Sequence, residues 1–339
     1  MTDRVTAAWL SGLPVYALEL AGEADEFALA EAAAAGGPPR LFGPGLALSP
    51  TLDLDRVRGL AYTRWASDAI AWGAGGLEAA LASLDGVDLR RRGSVAVRAR
   101  DVRGTAGVET QRAERALGDR LVARGFTIDL ESPDHELRAC FSADSWLLGW
   151  RVAASRRDFG QRQPTDRPFF HPGAMAPLLA RAVANIAIGR RNPTETVVFD
   201  PMLGTGGLLT EAGILGASVL GSDVQSEMVR GARENLRAAL RAAQFDVFQA
   251  DATSLPLADR TADVVAFDAP YGRQSHIAGR TVTELLEAVL AEARRVSQRA
   301  VVISDHAVTA LARAAGWVVT ARFERPVHRS LTRHVHVLE

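Results

Sequence analysis

Short apolar runs alternate with amphipathic segments through the second half of the chain. The apolar runs predict buried strands over residues 196–200, 218–222, 245–249, 264–268 and 300–304. Segments whose apolar residues recur every three or four positions predict helices over residues 172–188, 206–215, 225–241 and 282–296. This alternation is typical of a parallel sheet with helices on both faces. Two last runs, 317–323 and 334–338, predict an antiparallel hairpin at one edge and complete a mostly parallel sheet of seven strands.

The first half of the chain has a mixed pattern that indicates α+β structure. Strands are predicted at residues 14–20, 46–52, 94–100, 126–130, 136–141 and 146–153, and helices at 23–35, 54–72 and 108–124. We place the N-terminal part of an α+β module in residues 1–50, a second α+β domain in 51–153, an Arg-rich linker in 154–167 and the α/β domain in 168–339.

Composition narrows the class of protein. The chain has 339 residues, of which 47% are hydrophobic and 23% charged, and this excludes disordered, collagen-like and disulfide-scaffold proteins. Because Cys140 is the single cysteine, no intramolecular disulfide or thiolate-rich zinc site can form, and the histidines lack metal-ligand spacing. Each apolar stretch is interrupted before the roughly 18 residues that a membrane span needs. We therefore expect a cytoplasmic protein without a membrane partner or a bound metal.

Charge is unevenly distributed along the chain. All 39 residues in the Lys+Arg count are Arg, whose planar guanidinium suits phosphate and carboxylate groups. Residues 1–80 carry 10 acidic residues and 5 Arg, residues 81–170 carry 13 and 16, and residues 171–339 carry 17 and 18. An anionic partner is therefore expected at the middle third. Ordinary solvated surface charge is the alternative interpretation.

The strongest motif is Asp200-Pro201-Met202-Leu203-Gly204-Thr205-Gly206-Gly207, which follows a predicted strand and begins a helix. Backbone N–H groups of such a turn face the carboxyl edge of the sheet, and glycine allows a ligand to approach closely. A dinucleotide-binding fingerprint requires a third glycine where Leu209 stands, and the charge of Asp200 disfavours a pyrophosphate. A tight turn without a ligand remains the alternative.

Two more strands end in acidic residues at the same predicted edge. Asp223-Val224 follows the second strand, where a carboxylate can accept hydrogen bonds from both hydroxyls of a ribose. Asp251-Ala252 follows the third strand, in position to contact an adenine amino group. Each aspartate is alternatively a helix or turn cap. Acids at three successive strand ends favour S-adenosylmethionine over a nicotinamide dinucleotide as the cofactor.

The fourth strand leads into Asp268-Ala269-Pro270-Tyr271. This run resembles the Asp/Asn-Pro-Pro-Tyr/Phe motif of methyltransferases that act on exocyclic amino groups of bases. Acceptance of the two amino hydrogens by the Asp268 carboxylate and the Ala269 carbonyl would aim the nitrogen lone pair at the methyl group. Tyr271 is expected to stack on a flipped-out base. Ala269 departs from the usual Pro of the motif, which removes turn rigidity but keeps the carbonyl.

A further segment resembles the same family. Residues 167–175, with the sequence Arg-Pro-Phe-Phe-His-Pro-Gly-Ala-Met, match a Pro-Phe-Phe-x-Pro-Gly pattern. In the family this pattern packs near the methionine end of the cofactor, which implies a cofactor contact for Phe170. Core packing is the alternative for both Phe residues, and His171 occupies a variable position at which no catalyst is expected.

The motif order and the α+β front half together resemble THUMP-domain RNA methyltransferases, above all the archaeal group that modifies guanine 10 of tRNA. The resemblance covers about residues 50–339 and is strongest over 167–273. It implies a Rossmann-like catalytic domain and a THUMP module, over residues 51–153, that grips the acceptor end of tRNA. Phosphate contacts are expected from Arg90, Arg91, Arg92, Arg98, Arg100, Arg156 and Arg157. Some relatives act with a small zinc-binding activator subunit, which this sequence neither indicates nor excludes.

The leading hypothesis is methylation of the exocyclic N2 amino group of a tRNA guanine, at position 10, with one or two methyl groups. Alternatives within this chemistry are another guanine of tRNA or ribosomal RNA, or an adenine of DNA, which the THUMP-like front half disfavours. A non-catalytic RNA-binding protein is disfavoured because the cofactor and catalytic motifs occur together. A nicotinamide-dependent oxidoreductase is disfavoured by Leu209.

Overall fold

The computed structural model describes residues 15–241, 244–271, 281–328 and 331–339. The chain divides into two compact units, Met1–Arg156 and Arg157–Glu339, called here the N-terminal unit and the C-terminal unit. Each unit is built around a sheet of its own. The division lies within the segment 154–167, where the sequence predicts a linker.

The N-terminal unit is an α+β structure with one mixed sheet. Its described residues, 15–156, contain eight strands: β1 (Tyr16–Leu20), β2 (Arg40–Gly43), β3 (Leu46–Ser49), β4 (Thr63–Ala74), β5 (Ser94–Asp101), β6 (Thr127–Ile128), β7 (His135–Ser142) and β8 (Ser145–Ala154). The strand order is β2-β3-β1-β4-β8-β7-β5-β6. β5 is parallel to both of its neighbours, β6 and β7, and the other pairings among these described strands are antiparallel. The helices are α1 (Asp25–Ala32), α2 (Leu54–Val57), α3 (Leu77–Gly86) and α4 (Thr110–Val122).

This sheet continues across the predicted boundary at residue 50. β1 pairs with β3 along one edge and with β4 along the other, so backbone hydrogen bonds join strands from both sides of that boundary. The described residues before that boundary, from β1 to β3, therefore share one sheet with β4 and the strands that follow. The THUMP identity of residues 51–153 stays a prediction.

The predicted helix at residues 54–72 is wrong over most of its length. α2 stops at Val57, and the chain then enters the twelve-residue strand β4. The alanines of this stretch favour a helix, but β4 is hydrogen-bonded to β1 on one edge and to β8 on the other. Sheet pairing on both edges overrides the local helix propensity. β2 and α3 lie in segments for which no element is predicted.

The C-terminal unit is an α/β structure, as predicted. Its described residues contain seven strands: β9 (Val197–Asp200), β10 (Ser218–Asp223), β11 (Phe245–Gln249), β12 (Val264–Asp268), β13 (Ala300–Ser304), β14 (Val319–His328) and β15 (Leu331–Leu338). They lie in the order β11-β10-β9-β12-β13-β15-β14. The first five pair with one another in parallel, and β15 is antiparallel to both β13 and β14. The mostly parallel seven-stranded sheet is confirmed.

Helices flank this sheet and bury its apolar side chains. They are α5 (Pro177–Ile188), α6 (Gly207–Ile214), α7 (Ser226–Ala239), α8 (Val282–Val296) and α9 (Thr309–Ala314). In one part of the core, Phe267 of β12 and Leu286 of α8 are fully buried, and Trp317 donates its indole N–H to the Leu290 carbonyl over 2.9 Å. α5 begins later than predicted because Pro177 opens its first turn.

The second part of the predicted linker at 154–167 belongs to the C-terminal unit. Residues Asp158–Arg162 and Pro164–Asp166 form two short 3-10 helices, and Phe159 in the first of them is buried. Arg162 forms an ion pair with Glu211 of α6, at 2.9 Å between Nε and Oε1. Arg181 of α5 pairs with the other Glu211 oxygen at 2.6 Å.

None of the helices in the described ranges combines the length and the apolar character that crossing a bilayer requires.

We predict that Glu211→Ala destabilises the C-terminal unit by about 3–5 kcal/mol, because it leaves two guanidinium groups without their buried partner. Glu211 is fully buried and Arg181 is 2% exposed. Urea unfolding measures the free energy change. Glu234→Ala, at an exposed position of α7, is the control and should change stability by less than about 0.5 kcal/mol. Equal stability of the two variants would contradict the prediction.

Candidate active site

The glycine-rich loop between β9 and α6 has the backbone that its sequence predicts. Gly204 and Gly206 have φ angles of 49° and 76°, in the left-handed region that favours glycine. Gly206 occupies the N-cap position of α6. The loop is held against β10 by a hydrogen bond of 3.0 Å from the Leu203 N–H to the Ser222 carbonyl. The start of α6 and its loop therefore lie at the carboxyl edge of the sheet.

Three carboxylates end the neighbouring strands β10, β9 and β12 at this edge. Asp200 lies between Asp223 and Asp268 in the strand order, and is 3% exposed. Burial raises the pKa of Asp200 well above its ordinary range, and the negative charges of its two neighbours add to this effect. Its carboxylate accepts a hydrogen bond of 2.9 Å from the Met202 N–H. Asp200 therefore supports the glycine loop through its hydrogen bond with the Met202 N–H.

Asp223 is fixed by two backbone donors. Its carboxylate accepts hydrogen bonds from the N–H of Gly204 at 3.1 Å and from that of Gln225 at 3.0 Å. Burial still raises its pKa above the ordinary value, and these hydrogen bonds oppose that rise. The side chain thus joins the glycine loop to the end of β10.

Two adjoining cavities lie over this edge. The first, of about 320 Å³, is lined by Asp223, Val224, Asp251 and Ala252 among others. The second, of about 430 Å³, is lined by Asp200, Thr205, Ala269 and Tyr271 among others. Asp268, Gly204, Pro270, Met202, Met228 and His171 line both. Two compartments that share the Asp268 wall can hold a cofactor and an acceptor side by side.

Asp251 lies at the first cavity but is exposed, and it also caps its own turn. Its Oδ1 accepts hydrogen bonds from the N–H of Thr253 at 2.9 Å and from its hydroxyl at 2.8 Å. The cap interpretation and the cavity position therefore both apply to this residue.

Asp268 belongs to a hydrogen-bonded group of three side chains. The Tyr271 hydroxyl donates to its Oδ1, and Nη2 of Arg333 lies 3.6 Å from its Oδ2. The Arg333 Nε–H in turn donates to the Tyr271 oxygen over 2.8 Å. Burial raises the pKa of Asp268, whereas the Arg333 charge and the Tyr271 hydrogen bond lower it. The sequence interpretation missed Arg333, which comes from β15, far along the chain.

The Pro-Phe-Phe segment is anchored beside the glycine loop through hydrogen bonds to Asn235. Asn235 of α7 accepts from the Phe169 N–H and donates to the carbonyls of Phe169 and Thr205, each at 2.9 Å. Phe170 is 48% exposed and lines neither cavity, and its predicted cofactor contact stays a prediction. His171, for which no role is predicted, lines both.

Comparison with known proteins agrees with this site. A family described as an RMKL-like methyltransferase domain matches residues 164–334. The chain belongs to this methyltransferase family. Its members depend on S-adenosylmethionine, and the glycine loop with its carboxylates suits that cofactor. The four residues of the Asp-Ala-Pro-Tyr motif lie within the matched range.

Relatives of this methyltransferase also match its N-terminal unit. It is 34% identical over 290 residues to a tRNA (guanine(10)-N2)-dimethyltransferase of Methanothermobacter thermautotrophicus, covering 83% of each chain. It is 31% identical over 254 residues to an enzyme of the same name from Pyrococcus abyssi, covering 73% of this chain and 74% of that one. The crystal structure of TrmN from Thermus thermophilus has the same fold, with a TM-score of 0.51 at 22% identity, covering 96% of this chain and 99% of that one.

The arginines predicted to bind RNA differ in their surroundings. Arg91 pairs with Asp68 at 3.3 Å, and Arg100 pairs with Glu19 at 2.8 Å. Arg98 donates to the Leu130 carbonyl at 2.8 Å. These three are partly engaged within the N-terminal unit. Exposed positions are occupied by Arg90, Arg92, Arg156 and Arg157, although Arg92 also donates to the Leu89 and Arg91 carbonyls at 2.5 and 2.8 Å.

The described ranges contain no cluster of three or more His, Cys, Asp or Glu side chains that could hold a metal ion.

We predict that Asp223→Ala lowers the affinity for S-adenosylhomocysteine about ten- to a hundredfold, because hydrogen bonds to a charged group contribute about 1.5–3 kcal/mol. Isothermal titration calorimetry measures this directly. Glu227→Ala removes an exposed carboxylate from the first turn of α7 and should keep the wild-type affinity. A similar affinity for all three proteins would remove Asp223 from the cofactor site.

Proposed function

We propose that this methyltransferase methylates the exocyclic N2 amino group of a guanine in tRNA, at position 10, with one or two methyl groups. The observation that carries the proposal is the position of the Asp-Ala-Pro-Tyr motif: Asp268 and Pro270 line both cavities, and Ala269 and Tyr271 line the second. The names of the relatives support the choice of guanine and of tRNA. Asp268 and the residues after it then contact the acceptor base.

In this proposal the first cavity holds the nucleoside part of the cofactor. Asp223 accepts hydrogen bonds from the ribose hydroxyls, and Val224, Asp251 and Ala252 contact the adenine. The second cavity receives the guanine. A methyl group on a sulfonium is a strong electrophile: the amino nitrogen forms a bond to its carbon, and the sulfur keeps the electron pair of the broken bond.

The amino group needs help from the protein because its lone pair is delocalised into the base. We assign this role to the Asp268 carboxylate and the Ala269 carbonyl, which accept its two hydrogens and turn the lone pair toward the methyl carbon. The proton that the nitrogen loses passes to Asp268 or to water. Tyr271 stacks on the base.

The N-terminal unit is the proposed tRNA-binding part, with residues 51–153 as a THUMP domain. The exposed Arg90, Arg92, Arg156 and Arg157 are the phosphate contacts that the surface supports best. We propose a cytoplasmic location, in line with one cysteine, Cys140, that is buried and free. Some relatives act with a small zinc-binding activator subunit, so the assay is run both with and without such a subunit.

The deciding experiment is methyl transfer from labelled S-adenosylmethionine to unmodified tRNA transcripts, with nucleoside mass spectrometry of the product. N2-methylguanosine and its dimethyl form are expected with guanine at position 10 and lost when that guanine is replaced by adenine. Methylation that persists after the replacement would move the target to another guanine. Absence of transfer to tRNA, with and without an activator subunit, but with ribosomal RNA methylated, would overturn the tRNA assignment.

We predict that Asp268→Ala lowers the rate of methyl transfer at least about 100-fold, because it removes the side-chain oxygen that accepts an amino hydrogen and the carboxylate that takes up the proton. Affinity for S-adenosylhomocysteine should change less than about threefold, since Asp223 and the glycine loop are untouched. Asp305→Ala, which removes the carboxylate just after β13, is the matched control, and a smaller loss is expected. Equal losses in the two variants would contradict the role of Asp268.

A further inference from the structure

Arg333 reaches the catalytic motif from the hairpin at the far side of the sheet. β15 pairs with β13, and the pairing ends with Ser304 opposite His334. Arg333 is the next residue toward the hairpin turn and pairs with Arg325 of β14 instead. It therefore extends past the carboxyl end of β13, which brings its guanidinium to the end of the adjacent strand β12.

The guanidinium is buried and is directed at the two functional side chains of the motif. Arg333 is 7% exposed. Its Nη2 lies 3.6 Å from Oδ2 of Asp268. Its Nε–H donates to the Tyr271 oxygen, and its Cζ lies 5.8 Å from the centroid of the Tyr271 ring. A buried cation without a structural carboxylate partner would cost stability. Here its ion-pair partner is the residue that must accept the amino hydrogens.

Charge around Asp268 is otherwise unfavourable for a carboxylate. Asp200 from β9 and Asp305 after β13 place two more negative charges near it. Asp305 is in contact with His306, at 2.6 Å between Oδ1 and Nδ1. The charged and titratable groups around Asp268, by element, are Asp200 of β9, Tyr271 after β12, Asp305 and His306 after β13, Arg333 of β15, and His171 at the cavity wall.

We propose that Arg333 is a positioning residue for methyl transfer, which keeps Asp268 as a carboxylate and holds the Tyr271 hydroxyl beside it. Arg333 donates to the Tyr271 oxygen while the Tyr271 hydroxyl donates to Oδ1 of Asp268, so Asp268 is held both directly by the guanidinium and through the phenol. This inference rests on the proposed function, since it assigns Arg333 to the same reaction. A merely structural Arg333 would affect folding and not the ionisation of Asp268.

The first test is the pH dependence of kcat with S-adenosylmethionine and tRNA. An ionised Asp268 is needed as proton acceptor, so the rate rises with pH through its pKa. In Arg333→Gln the acid limb of the pH–rate profile should move to higher pH by about one unit. The rate on the acid side is then roughly tenfold lower than in the wild type, and it recovers at higher pH. Arg322→Gln, the same change on an exposed Arg of β14, should keep the wild-type limb. A uniform loss at every pH would overturn the proposal.

A second test needs no RNA substrate. Carboxyl-carbon NMR of protein labelled at aspartate follows the titration of Asp268, whose signal is identified by its loss in Asp268→Asn. In Arg333→Gln that signal should titrate at higher pH than in the wild type, and an unchanged titration overturns the inference. If wild-type protein transfers no methyl group but this shift is found, the proposed function fails and the Arg333 inference stands.

Arg333→Lys is the second variant, because it keeps the positive charge but replaces the planar guanidinium fork with a compact ammonium group on a single nitrogen. This variant also tests the proposal if Arg333→Gln does not fold. Its acid limb and its Asp268 titration should move in the same direction as in Arg333→Gln, by less. No movement of either in the folded variants would show that Arg333 does not act on Asp268.

Discussion

The C-terminal unit has to accommodate three carboxylates that neighbouring parallel strands bring to one edge. Desolvation and mutual repulsion both oppose their charged form. Each carboxylate has different partners. Asp200 accepts from the Met202 N–H, Asp223 accepts from two backbone N–H groups, and Asp268 contacts a phenol and a guanidinium. The glycine loop, the start of α7 and the β14–β15 hairpin are the elements that supply these partners. The architecture of the site follows from this need.

Much of this unit was predictable because its strands are buried on both faces and therefore are nearly continuous apolar runs. β11, β12, β13 and α8 have the predicted bounds. The capping box of Thr281 and Glu284 marks the start of α8 in the sequence itself. The order of the motifs then placed the cofactor loop and the Asp-Ala-Pro-Tyr turn at one edge, since all four strands run the same way.

Three features could not be read from local sequence pattern, because contacts between residues distant in sequence decide them. β4 has a helix-like composition but is bonded on both edges by strands distant in sequence. Arg333 lies 62 residues after Tyr271, and only the antiparallel hairpin brings them together. At Phe170 and His171 the choice between cavity and solvent depends on the anchoring of Phe169 by Asn235, which no spacing rule encodes.

The continuous sheet of the N-terminal unit limits where the chain can be cut. A fragment starting at residue 51 would lack the partner that covers one edge of β4, from Tyr16 opposite Asp68 to Leu20 opposite Thr63. The uncovered N–H and C=O groups would form a template for association with other chains. A fragment that represents the N-terminal unit therefore has to keep everything from β1 onward, even though the first strands lie outside the segment that resembles a THUMP domain.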